Sequence, residues 1–168
     1  GEIFKNYKIN NISRSNDNVR ISIGNEYLDY DQVVLACHAD QSLNILNDPS
    51  AKEKEILNKF TYVSNRAFLH TDENLMPSRK KAWSSWNSIT IDNRTCITYW
   101  LNKLQNLKTN KNYFLTLNPV AEVEESKVIK QEKFTHPYFN NENVSLQKDL
   151  HLLQGKKRTG FCGSYFGY

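Results

Sequence analysis

Glycine is scarce. The 168-residue chain carries six, and none stands in a G-x-G-x-x-G spacing, so the turn that cradles a dinucleotide's pyrophosphate at a helix N-terminus is missing from this sequence. Cysteine is scarcer still. Cys37, Cys96 and Cys162 are odd in number, widely spaced and without a C-x-x-C pair, which excludes a disulfide framework and leaves reduced thiols as the default. No apolar run approaches the length that spans a bilayer, and the opening Gly-Glu-Ile-Phe-Lys lacks a signal peptide's apolar core. The expectation is a cytoplasmic chain with no membrane span. Long basic runs are absent as well. Arg79-Lys80-Lys81 and Lys156-Lys157-Arg158 are three residues each, short of the roughly five to eight that suggest a phosphate track. The formal charge of +4 is otherwise scattered among acidic and amide side chains, so nucleic acid is not an expected partner.

What is present describes an ordinary globular chain, with 39% hydrophobic and 24% charged residues, long enough to bury a sizeable core. Tyr7 to Ile12, Val19 to Ile23 and Tyr27 to Tyr30 read as a three-stranded antiparallel meander, with a polar turn over residues 13–18 and a tight turn at Gly24-Asn25. Val33 to Ala36 is a continuous apolar run, which suits a strand buried on both faces in a parallel sheet. Helices are expected over residues 39–46 and 51–59, the second opened by an S-x-x-E capping box at Ser50 and Glu53. Phe60 to His70, Tyr113 to Leu117 and Val128 to Phe134 return to strand. Residues 144–154 fit a helix with Leu146, Leu150 and Leu153 on one stripe, stopped by Gly155.

All three tryptophans fall in one stretch. Trp83 to Ile91 and Thr95 to Trp100 read as two strands joined by turn chemistry at Asp92-Asn93-Arg94. Period two places Trp83, Ser85, Asn87, Ile89 and Ile91 on one face and Trp86 with Ser84, Ser88 and Thr90 on the other. A core hairpin with one solvated face accounts for this pattern; aromatics interleaved with Ser and Asn equally suit the wall of a ligand pocket.

An ordered set of short motifs goes further. Asp31-Gln32-Val33-Val34-Leu35-Ala36-Cys37-His38-Ala39-Asp40-Gln41, Leu69-His70-Thr71-Asp72, Met76-Pro77, Ala82-Trp83-Ser84-Ser85-Trp86-Asn87, Tyr99-Trp100-Leu101-Asn102, Leu117-Asn118-Pro119, His136-Pro137, Leu153-Gln154-Gly155 and Phe161-Cys162-Gly163-Ser164-Tyr165 occur in this order. Together, over nearly the whole chain, they resemble a family of NAD/FAD-binding proteins within the flavin-containing amine oxidase superfamily. The resemblance implies an α+β fold with a mixed, largely antiparallel sheet and a few short helices, part of an FAD-linked reductase or amine oxidase-like fold. It implies a partial FAD-binding domain over residues 1–47, a substrate-domain-like region over 48–155 and a return strand over 156–168. Members of the family open with the Gly-rich turn that this chain lacks and continue past Tyr168. The chain is therefore expected to be a fragment without either end, with FAD held by the full-length parent and absent from the fragment.

The same resemblance implies roles for residues. Ile9 would lie near the adenine, Ala36 and Cys37 would end a strand beside the cofactor's ADP half, and Gly163 and Ser164 would approach the flavin or its ribityl chain. Trp86, Asn87, Tyr99 and Trp100 would form the substrate side. The implied chemistry is hydride transfer from a carbon next to an amine, or from a saturated carbon chain, to the flavin of the parent enzyme. No catalytic residue is singled out: His38, His70 and His136 are candidates by chemistry alone. His70 with Asp72 makes too small a set for a metal, so none is expected. A small-molecule substrate is the expected partner, with self-association through surface exposed by truncation. Two other classes remain open: a stand-alone ligand-binding module gripping its ligand with the aromatic hairpin, and a single-stranded nucleic-acid binder, which would show steep salt dependence.

Overall fold

The computed structural model describes residues 1–167; Tyr168, the last residue of the expected return strand, lies outside the described residues. The fold is α+β, and the chain divides into two compact units, Gly1–Tyr62 with Pro137–Tyr168 and Val63–His136. The boundaries expected near residues 47 and 155 both fall within the first unit.

In the first unit β1 (Ile9–Arg14), β2 (Val19–Ile23) and β3 (Glu26–Tyr30) form the antiparallel meander in the order β1-β2-β3. Its first turn is held by Ser15, whose hydroxyl accepts the N–H groups of Asp17 and Asn18. Its second uses Gly24 at a φ of +59°, where a side chain would be strained. β4 (Val33–Leu35) pairs in parallel with β10 (Thr159–Phe161), Val33 opposite Thr159 and Leu35 opposite Phe161. The parallel pairing agrees with the apolar run, but burial on both faces does not hold. Val34 is 66% exposed while Leu35 is 4% exposed, because the unit's core lies against one face of this two-stranded sheet.

Two helices follow β4, α1 (Ala39–Ile45) and α2 (Ala51–Leu57). The Ser50–Glu53 capping box forms: Ser50 Oγ accepts the Glu53 N–H, and Glu53 Oε2 accepts the Ser50 N–H at 2.7 Å. The helix expected over residues 144–154 is corrected to a short α-helix (Asn141–Leu146) that runs on as a 3-10 helix (Gln147–Leu153). It starts earlier because Asn140 caps it, accepting the Asn143 N–H. The tightening also has a physical reason. Leu150 and Leu153, both buried, are three apart, and a 3-10 helix with three residues per turn stacks them on one side. They join Ile12, Val19, Leu35, Ile56, Phe161 and Tyr165 in the core.

A buried charge network fastens this unit. Arg14, whose side chain is fully buried, makes a two-pronged bond to Glu53 (Nη1–Oε1 2.6 Å, Nη2–Oε2 2.9 Å), and also reaches Asp48 and the Thr159 hydroxyl. One guanidinium thereby joins β1, the start of α2 and β10. The basic run at Lys156-Lys157-Arg158 is largely engaged: Lys157 bonds Asp48, and Arg158 donates to the carbonyls of Asn16 and Asp31.

The second unit is a five-stranded sheet in the order β6-β7-β8-β5-β9, where β5 is Thr61–His70, β6 Trp86–Ile91, β7 Arg94–Trp100, β8 Phe114–Leu117 and β9 Val128–Tyr138. The pairs β6/β7, β7/β8 and β5/β8 are antiparallel. The hairpin turn is Asp92-Asn93, both at positive φ (50° and 59°), the two-residue arrangement whose twist matches the strands. β6 begins at Trp86, three residues later than the pattern suggests. Residues 80–82 form a 3-10 turn, and the Asn87 side chain occupies both backbone groups of Ser84, accepting its N–H at 3.0 Å and donating to its carbonyl at 2.7 Å. Ser84 therefore has no ladder to join.

Candidate functional site

The first candidate site is the pair of adjoining carboxyl ends of β4 and β10. In open parallel sheets ligands collect at such strand ends. The sequence offers no local sign that residues 36–37 and 163–164 meet, yet the register of the β4/β10 pair continues into the Cys162 N–H to Leu35 carbonyl bond at 3.0 Å. Ala36, Cys37, Gly163 and Ser164 are thus brought to one place. Ile9 is not: it opens β1 at the edge of the meander and is 37% exposed.

Side chains around these strand ends are tightly set. Cys37 Sγ lies 3.3 Å from the hydroxyl of the buried Ser42. The Tyr62 hydroxyl accepts the Ala39 N–H at 2.7 Å, and its ring stacks on His38 with centroids 4.2 Å apart. Burial, with lesser contributions from Asp40 and Cys37, raises the Tyr62 pKa. Tyr165 is fully buried, and among the described residues its hydroxyl has no hydrogen-bond partner. Burial pushes its pKa up; Ser42 is near enough to relieve this in part but does not meet hydrogen-bond geometry. Gly163 is explained by its neighbours. A Cβ there would stand 2.8 Å from the Tyr165 ring and 3.0 Å from the Cys37 carbonyl oxygen, so the close approach is between parts of this chain.

The second candidate is the hairpin sheet of the other unit. Cross-strand register puts Trp86 opposite Tyr99 and Asn87 opposite Thr98, and partners across a ladder share a face. Trp86 and Tyr99 therefore lie on one face with Leu69 and Leu115, while Asn87 and Trp100 lie on the other with His70, Phe114 and Thr116. The four residues expected on the substrate side are brought together as two pairs on opposite faces. Trp86 is 53% exposed. Asn87 is buried, and its amide serves Ser84, the Thr98 carbonyl and Met76 Sδ. The Trp100 indole N–H donates to Asn112, and its ring meets Trp83 edge-on at 5.3 Å.

A buried polar chain crosses that inner face. His70 Nδ1 accepts the Asp72 N–H at 3.1 Å, so in the neutral ring Nε2 carries the proton and donates to Thr116 Oγ1 at 2.8 Å. The Thr116 hydroxyl in turn shares a hydrogen bond with the Thr98 hydroxyl at 2.8 Å. Burial lowers the His70 pKa, outweighing the nearby Asp72. The Asp72 carboxylate is spent on the N–H groups of Asn74 and Glu124, with Lys127 Nζ at 3.6 Å. Of the other histidines with catalytic chemistry, His136 Nδ1 lies 2.9 Å from the Asn65 amide and His38 stacks on Tyr62. No group of three or more metal-ligating side chains occurs among the described residues, and no described helix is long and apolar enough to cross a membrane.

This arrangement of strands has counterparts among solved structures. The chain superposes on a CLA-producing fatty acid isomerase from P. acnes with a TM-score of 0.62 at 14% identity, covering 94% of this chain and 42% of that one. Reduced UDP-galactopyranose mutase gives 0.61 at 12% identity, with 98% and 42% covered. Cyclohexylamine oxidase from Brevibacterium oxydans IH-35A gives 0.59 at 9%, with 95% and 43% covered. No protein-family model and no curated protein sequence matches. At these identities the likeness is one of fold: the chain shares the fold of the matched parts of these enzymes. It spans less than half the length of the solved structures it matches.

Proposed function

We propose that this chain is part of an FAD-dependent, amine oxidase-like oxidoreductase and supplies one wall of the cofactor site together with a substrate-facing sheet. The observation that carries the reading is the parallel β4/β10 pair, which assembles Ala36, Cys37, Gly163 and Ser164 at adjoining strand ends. Fit to the cofactor is partial. The carboxyl ends of a parallel strand pair suit one side of a dinucleotide, while the Gly-rich pyrophosphate cradle has no counterpart in this sequence. When bound in the whole enzyme, FAD would accept a hydride from a carbon next to an amine or from a saturated carbon chain.

The chain's own residues position and exclude. Backbone at residues 36–37 and 163–164 would line the cofactor, and Trp86 with Tyr99 would present an aromatic surface to the substrate. Asn87 and Trp100 would act from behind, fixing the hairpin that carries them. The histidines are held by their neighbours and are assigned no proton transfer.

Retention of flavin through gel filtration tests this division of labour. The chain incubated with FAD should elute colourless, and a fusion carrying a Gly-rich βαβ segment at its N-terminus should retain flavin. Replacing Ser164 with a bulky Trp in that fusion should abolish retention. Stoichiometric flavin on the chain alone, or retention unaffected by Ser164→Trp, would overturn the reading.

A further inference from the structure

A cationic concavity lies in the sheet unit, distant in sequence from the strand ends at residues 36–37 and 163–164. Arg66 on β5 and Arg94 at the start of β7 flank β8 and the turn that leaves it. Together they line two adjoining open hollows of about 620 and 400 Å³. The smaller is completed by Thr95, Asn118, Pro119 and Val120; the larger adds Phe68, Glu122 and Glu125.

Both arginines are set in place without being neutralised. Asn118, at a φ of 49°, accepts the Arg66 N–H with its side chain at 2.9 Å and donates its own N–H to the Arg66 carbonyl at 2.8 Å. The Arg66 guanidinium lies 5.0 Å from the Phe68 ring centre, and Arg94 donates to the Val120 carbonyl at 3.3 Å. Neither has a carboxylate in ion-pair contact among the described residues. Arg14 and Arg20, by contrast, are forked onto Glu53 and Asp29. Two guanidinium groups left with open donors over an apolar floor match a planar oxyanion attached to an apolar body.

We propose that this groove binds an organic monocarboxylate, its carboxylate between Arg66 and Arg94 in the smaller hollow and its apolar body against Phe68, Pro119 and Val120. Asn118 lies beside the headgroup, its side chain holding the Arg66 backbone in place. Glu122 and Glu125 line the larger hollow and not the smaller, so a second negative charge on the body of the ligand would meet like charge there, which selects against dicarboxylates.

Isothermal titration of the 168-residue chain at low salt tests the proposal, with 4-phenylbutyrate as probe and 4-phenyl-1-butanol, glutarate and inorganic phosphate as comparisons. Phenylbutyrate should bind and the other three should bind about tenfold or more weakly. The Arg66→Gln/Arg94→Gln variant should lose binding, whereas Lys81→Gln should retain it. If circular dichroism shows the double variant misfolded, Arg94→Gln alone, at an exposed turn, should weaken binding about tenfold. Equal binding of the alcohol removes the carboxylate requirement, and equal binding of phosphate removes the apolar one. No phenylbutyrate binding, or affinity unchanged by Arg94→Gln, overturns the site altogether.

Discussion

Trp86 and Asn87 are adjacent in sequence and opposite in role: the first stands out from the sheet, 53% exposed, while the second is buried beneath it with its amide fully engaged. Truncating them should therefore have unequal effects. Asn87→Ala leaves the Ser84 N–H and carbonyl without their partner, at a cost of about 1–3 kcal/mol for the stranded groups. Trp86→Ser removes mainly surface contact with Tyr99, expected to cost about 1 kcal/mol or less. Urea denaturation of the two variants should show this order; a larger loss for Trp86→Ser would mean that its ring is a packing element.

The Arg14–Glu53 pair should dominate the acid sensitivity of its unit. Burial alone would raise the Glu53 pKa, but the Arg14 bonds and the Ser50 N–H together outweigh it and hold the carboxyl below its ordinary 4.5. A depressed carboxylate contributes stability that is present above about pH 4.5 and is lost as pH falls through the folded-state value. Glu53→Gln should destabilise by about 3 kcal/mol at pH 7, since it strands a buried guanidinium, with Asp48 at 3.2 Å limiting the damage. The variant's acid unfolding curve should also be flatter below pH 4.5 than that of the parent chain.

Some of this was open to reading from the sequence and some was not, for physical reasons. The Asp92-Asn93 turn and the Ser50–Glu53 capping box are local: each is specified by residues two to four apart, and both form. The face assignment of Trp83 depended on where β6 begins, which is set by the Asn87 side chain seizing the Ser84 backbone; strand alternation carries no sign of that. Arg14 meets Glu53 across 39 positions, and Arg66 shares a groove with Arg94 across a third strand. In sequence each is one more charge in a polar segment. The meeting of residues 36–37 with 163–164 was not legible in the sequence, because a parallel partner for β4 is a property of the whole topology.

His70 gives the sheet unit a pH dependence at a higher range. Burial depresses its folded-state pKa below 6.5, so the unfolded chain binds a proton first as pH falls. Stability from this group is complete above about pH 6.5 and is lost progressively below it, until the folded-state value is reached. Unfolding free energy should fall between pH 7 and pH 5.5, and His70→Phe should remove that part of the slope. Thr116→Val, which strands the Nε2 proton, should cost about 1–3 kcal/mol at pH 7. An imidazole that titrates near 6.5 in the folded chain by NMR would contradict the buried neutral tautomer.

Gly160 and Gly163 offer a controlled comparison at the β4/β10 strand ends. Neither has a positive φ in the left-handed range, so an added methyl group tests space alone. At Gly160 the new Cβ would meet Val34 Cγ2 at 3.4 Å, an ordinary contact with an exposed side chain. At Gly163 it would meet the Tyr165 ring at 2.8 Å and a carbonyl oxygen of Cys37 at 3.0 Å, and Tyr165 is fully buried in the core and has no room to retreat. Gly163→Ala should thus destabilise by about 1–3 kcal/mol, as overpacking does, and Gly160→Ala should stay within about 1 kcal/mol of the parent. Combining Gly163→Ala with Tyr165→Leu separates the causes. If the clash with the ring is what hurts, the second substitution should make the alanine much less costly than it is in the parent background, a coupling readable from a double-mutant cycle. Strict additivity would shift the strain to the Cys37 carbonyl and to the β4/β10 strand ends themselves.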